Sequence, residues 1–149
     1  MKPSLQHILF TAAVTLGTGV ATHLLAAPYA IGHVGTIGLL MIFAAQESDR
    51  QVETLFVENA ALADLFRDAL ALPLPDAVRA AIDTVLAEPD PGLRVGPLEA
   101  ANEAKREVLI SLHAAVETLE GDAARALESQ IWTILLAGAE ARALMLPVL

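Results

Sequence analysis

The sequence predicts an all-α protein in two parts: an N-terminal two-helix transmembrane hairpin, then an acidic helical bundle with coiled-coil seams. Three observations carry that expectation. Residues Leu5 to Gln46, 42 in all, contain no Asp, Glu, Lys or Arg, while all 18 acidic residues lie between Glu47 and Glu140. Ala and Leu, both strong helix formers, supply much of the 55% hydrophobic content, and aromatic residues make up only 4%. Beyond Glu47, apolar residues recur at alternating spacings of three and four, the period of a helical seam.

The charge follows the same division. Residues 1–46 hold only Lys2 and carry +1, whereas residues 47–149 hold 8 basic and 18 acidic residues and carry −10, together the net −9. A domain at −10 repels phosphate backbones, so nucleic acid is not an expected partner. The chain has no Cys, which excludes disulfides, thiolate nucleophiles and Cys-ligated metal centres.

Leu5 to Ala27 is 23 residues, roughly 34 Å as a helix and enough to cross a hydrocarbon core of about 30 Å. Pro28-Tyr29 breaks the pattern: Pro suits the first turn of a new helix, and Tyr suits a membrane–water boundary. Pro28 to Gln46 is 19 residues, roughly 28 Å and just long enough to return. Lys2 and Arg50 flank the open ends and no charge lies in the turn, so the positive-inside tendency places both ends, and the acidic domain, in the cytoplasm. Thr11, Thr15, Thr18 and Thr22 share one helical face, and Gly32, Gly35 and Gly38 recur every three residues in the second helix. Small residues let backbones approach, and Thr hydroxyls can bond across such a contact. Two rival readings exist. Lys2 followed by Ile8–Val20 resembles a signal peptide, but the apolar pattern resumes at His23 and runs on to Ala45. Alternatively, both helices form the buried centre of a soluble bundle with an apolar ligand pocket, which five glycines between Gly17 and Gly38 argue against.

The acidic part, residues 47–149, is expected to form helices over about 47–71, 76–87, 97–120 and 122–146. Ser48 with Gln51 makes a capping-box pair, so a helix either begins there or continues from the membrane. Its seam is Val52, Leu55, Asn59, Leu62, Phe66 and Ala69, and Leu72-Pro73-Leu74-Pro75 ends it. Asp76 is placed to cap a short helix with Val78, Ile82, Val85 and Leu86 inward, and the Pro- and Gly-rich stretch Glu88–Pro97 reads as a loop. The second seam is Val95, Leu98, Asn102, Lys105, Leu109, Leu112, Val116 and Leu119. It echoes the first at an offset of 43 through Val52/Val95, Leu55/Leu98 and Asn59/Asn102. An Asn at a core position sets register when it meets another, so either the two pair, within the chain or between copies, or both side chains sit at a bundle edge and bond water. Gly121 and Asp122 mark the start of the last helix, expected to run to about Leu146 before Pro147.

Catalytic signatures are lacking. None of the four Ser residues sits in a Gly-x-Ser-x-Gly elbow, no Gly-Lys-Ser/Thr is present, and no His follows a Glu by three. His113 and Glu117, four apart, supply fewer ligands than a zinc site uses and read as a solvated pair. His23 and His33 lie five residues either side of Pro28, at similar depth beneath the expected turn, and are the candidate ligands for a haem or metal cofactor. The expected function is non-enzymatic: a membrane-anchored adaptor, assembly factor or accessory subunit contacting lipid and a protein partner or its own copy. No cofactor is required by that reading; the alternative is a small haem or metal carrier using His23 and His33. The candidate interaction residues are Val52, Leu55, Asn59, Leu62, Phe66, Leu98, Asn102, Leu109, Leu112 and Val116.

Overall fold

The computed structural model describes residues 4–20 and 28–145, and every regular element among them is helical. In order they are α1 (Leu5–Thr15), a π-helical stretch (Leu16–Val20), α2 (Pro28–Ala69), α3 (Asp76–Ala87), α4 (Val95–Val116) and α5 (Asp122–Ala141). The chain divides into two compact units, Met1–Gln51 with Ala143–Leu149, and Val52–Arg142.

In the first unit, Ser4 caps α1 by accepting a hydrogen bond from the His7 backbone N–H at 3.2 Å. Thr15 and Thr18 each donate to the carbonyl four residues back, Thr11 and Val14, at 2.8 Å. Thr36 does the same to Gly32 at 3.0 Å. A hydroxyl bonded to its own helix has a partner there without a neighbouring helix. Thr22 lies outside the described residues.

Among the described residues, Gly38 is the one of the glycine series that comes close to another element. A Cβ there would sit 3.8 Å from the Ala13 carbonyl oxygen, whereas at Gly17, Gly32 and Gly35 it would meet nothing within 4 Å. Ala13 and Ala45 are buried. Ser4, Gln6, His7 and Phe10 line one cleft with Ile42, Ala45 and Gln46. The large apolar side chains face outward: Leu5, Ile8, Phe10, Val14, Ile37 and Leu40 are 46–60% exposed.

Where two helices meeting near Gln46 and Glu47 were one of the options, α2 runs unbroken through them. The Ser48 hydroxyl donates to the Ala45 carbonyl at 2.9 Å instead of capping a new start. With the preceding turn already helical, the backbone N–H groups a cap would satisfy have partners.

The second unit is a bundle formed by α2 from Val52 onward with α3, α4 and α5. Its core is Leu62, Leu65, Phe66, Ala69, Leu74, Ile82, Val85, Val108, Leu109, Leu112, Ala115, Val116, Ala124, Leu127 and Ile131. Leu72-Pro73-Leu74-Pro75 ends α2 as expected, and the Arg79 guanidinium closes the turn by donating to the Leu70 and Leu72 carbonyls at 3.0 and 2.9 Å. These are carbonyls that a helix end leaves without partners.

Helix ends differ from the sequence expectation in several places, including α4, which stops at Val116 short of the expected 120. Pro75, not Asp76, is the cap residue of α3, and Asp76 sits in the first turn, where its negative charge opposes the helix dipole's positive end. α4 begins at Val95, two residues early, because Pro97 falls in the first turn, where its missing N–H costs nothing. α5 ends at Ala141, not near Leu146: beyond Arg142 the backbone of Ala143 and Met145 bonds to side chains of Gln46 and Arg50. Gly121, at φ +110°, makes the sharp entry to α5 that a side chain would resist.

Candidate functional site

The seam positions turn inward. Leu55, Asn59, Leu62, Phe66, Leu98, Asn102, Leu109, Leu112 and Val116 are all buried, and Val52 is half-buried. The candidate interaction residues therefore serve the chain's own core, because each short amphipathic helix is marginal alone and finds its cover in the neighbouring helices.

Within that core lies a polar layer of four buried residues, Glu58, Asn59, Asn102 and Lys105, at 8%, 8%, 4% and 9% exposure. Asn102 donates through Nδ2 to Asn59 Oδ1 at 3.2 Å, and Asn59 donates through its own Nδ2 to the Leu98 carbonyl at 3.0 Å. The two carboxamides at matched seam positions thus meet inside one chain. Asn59 makes two of these bonds and Asn102 one. Glu58, on the same turn of α2, is bracketed by Arg106 of α4 at 3.6 Å and by Arg142, which follows α5. Gly138 leaves room for this arrangement: a Cβ there would come within 3.2 Å of Arg142 Nη1 and 3.6 Å of Glu58 Oε1. A buried carboxylate needs such partners, since leaving it unpaired costs several kcal/mol, on the order of 3–5.

Lys105 borders an open cleft of about 330 Å³ shared with Phe56, Asn59, Arg67, Leu86, Glu88 and Leu98. Burial pushes its ammonium below the ordinary lysine value of 10.5, and the charge of Glu88 partly opposes this. The charged form is thus disfavoured in the folded chain. Lys105→Met is expected to stabilise the protein at pH 7 by about 1 kcal/mol, the scale of one imperfectly satisfied buried polar group. Between Lys105's lowered pKa and 10.5 the unfolded chain binds more protons than the folded one, so native stability rises with pH there. The advantage of Lys105→Met should shrink across that window. Urea unfolding of both proteins at intervals from pH 7 to 11 checks this, and a constant gap would show that Lys105 is not desolvated.

His113 is not the solvated residue its spacing suggested. Its side chain is 20% exposed, with Nε2 buried, lacking a hydrogen bond and 3.7 Å from Glu117 Oε1. The ring stands edge-on to Trp132, with centroids 5.3 Å apart at 86°. α5 covers this side of α4, which is why the residue is enclosed. Around the contact, Ile110, Trp132 and Leu136 remain 72%, 57% and 61% exposed. Ile110 could have been noticed in the sequence as an apolar residue among Arg106, Glu107 and Ser111.

Of the two candidate cofactor ligands, His33 is exposed on α2 and His23 lies outside the described residues. Among the described residues, no group of three or more His, Asp or Glu side chains is placed to hold a metal ion. Among the described residues, the chemistry the arrangement displays is packing, amide pairing and ion pairing. Comparison with known protein families finds no match. Neither curated proteins nor solved structures match the chain.

Proposed function

We propose that this chain is a non-enzymatic, membrane-anchored helical protein that acts through protein–protein contacts, as an adaptor, assembly factor or accessory subunit. The observation that carries the reading is the apolar part of α2. The helix passes the length and hydropathy required to cross a bilayer, yet only 11% of its 18-residue apolar window is buried within the chain. A helix at the centre of a soluble bundle would bury that surface; in lipid it faces outward without cost. The opposed contacts of Ala13 with Gly38, and of Ser4–Phe10 with Ile42–Gln46, support a hairpin in which α1 and its continuation form the other limb.

Because the seams are spent on the chain's own core, a protein partner or second copy would meet the outward apolar side chains. Phe56 and Val57 on α2 are 52% and 58% exposed, and Ile110, Trp132 and Leu136 are exposed as well. Exposed aromatic and aliphatic anchors of this kind dominate interface energetics. The −10 charge of residues 47–149 favours a basic partner surface.

Membrane fractionation with a carbonate wash tests the anchor: the protein should stay in the pellet, and release into the supernatant would overturn the reading in favour of a soluble bundle. Topology is checked separately. The chain has no native Cys, so single cysteines at Ser4, Tyr29 and Ser48 report cleanly. All three positions are exposed. With both ends cytoplasmic, an impermeant thiol reagent outside intact cells should label only Tyr29→Cys. Labelling at Ser4→Cys and Ser48→Cys, with Tyr29→Cys silent, would invert the topology.

A further inference from the structure

We infer that the stretch just after α5, Ala143–Met145, is a second membrane contact that lies in the lipid–water interface beside α2, an inference that rests on the membrane reading above. Its sequence, Ala-Leu-Met, has no charged side chain. Leu144 and Met145 are 46% and 76% exposed, so the protein itself does not cover them.

What places the segment is its backbone. The Gln46 side chain bonds Met145 reciprocally, with Nε2 donating to the Met145 carbonyl at 2.8 Å and Oε1 accepting from its N–H at 3.0 Å. Arg50 Nη1 donates to the Ala143 carbonyl at 2.9 Å. Gln46 is the last residue of the uncharged run, and Arg50 is the first cation after it. The cleft that Gln46 lines also holds Ser4, Gln6 and His7, a level where polar side chains gather on both elements. That level is where a helix leaving the hydrocarbon would meet water and headgroups.

The bonds also remove the main obstacle to such a contact. Non-helical backbone is excluded from lipid because its N–H and C=O groups lack partners. Here side chains satisfy both backbone groups of Met145 and the Ala143 carbonyl, so the apolar side chains can enter the interface with less of that cost.

The test uses the full chain in phosphatidylcholine vesicles, with a nitroxide on single cysteines and relaxation by oxygen, enriched in lipid, against a water-soluble nickel complex. The Gln46 bonds use the backbone of Met145, so a label on Met145→Cys leaves them in place. Leu40→Cys and Leu93→Cys, at positions 60% and 69% exposed, serve as lipid and water references. Met145→Cys should favour oxygen over nickel by several-fold, nearer Leu40→Cys than Leu93→Cys. Adding Gln46→Ala should shift it toward the Leu93→Cys value. A Met145→Cys label as nickel-accessible as Leu93→Cys, with Leu40→Cys still lipid-exposed, overturns the second contact alone. If Leu40→Cys is nickel-accessible too, the membrane reading itself falls, and this inference with it. An unchanged label on Gln46→Ala overturns the part assigned to Gln46.

Discussion

Asn59→Leu should destabilise the chain by about 2–3 kcal/mol, and Asn102→Leu by about 1–2 kcal/mol, because each substitution leaves buried amide groups without partners. The ranking comes from the geometry: Asn59 bonds both Asn102 and the Leu98 carbonyl, whereas Asn102 contributes a single bond to the pair. For a domain of this size, the larger loss corresponds to a fall in Tm of about 10–20 °C. The double substitution should cost less than the two singles together, since it removes both amides at once and leaves two apolar side chains facing each other. It should also loosen the register that the pair imposes between α2 and α4. Thermal unfolding and mass in detergent for the four proteins check this. Additive losses with unchanged mass would show that the two amides are not energetically coupled.

Removing residues 1–46 should convert a protein that requires detergent into one that does not. Each outward Leu, Ile, Phe or Val gains about 1.5–3 kcal/mol on leaving water, and every 1.4 kcal/mol is tenfold in distribution. A handful of the exposed apolar side chains on α1 and early α2 therefore makes partition close to all-or-none. The core of the second unit runs from Leu62 to Ile131 and includes nothing from the deleted stretch. A chain beginning at Glu47 should remain helical by circular dichroism, unfold cooperatively and stay in the supernatant, with −10 of formal charge opposing aggregation. If the full-length protein is soluble without detergent and the shortened one is unfolded, the uncharged run is structural core, not anchor.

The helical class, the seams and their inward faces were all legible in the residues. Spacings of three and four repeat a local geometry, and burial follows from which stripe is apolar, so Leu62, Phe66, Leu98, Leu109 and Leu112 point inward as expected. The offset of 43 matched Asn59 with Asn102 but left open whether they meet or bond water at a bundle edge, and packing brings them to 3.2 Å. What no local pattern encodes is which distant side chain arrives beside a given group. Glu58 is bracketed by Arg106 and by Arg142, 84 residues away, and only the stacking of α4 and α5 brings them together. Whether Ser48 would cap a new helix depended on the backbone before it, and α2 continues because that turn is already helical. Lys105 falls on the second seam by its spacing, but the loss of water around its ammonium comes only from the neighbours that pack over it. The end of α5 was misplaced for the same reason: Ala143–Met145 has helix-forming residues, but Gln46 and Arg50, across a separation of more than 90 residues, take its backbone bonds instead. The sequence alone determined helix content, apolar faces and the uncharged run, because these depend on near neighbours; tertiary packing decided ion pairs, desolvation and where the helices stop, because these depend on groups far apart in the chain.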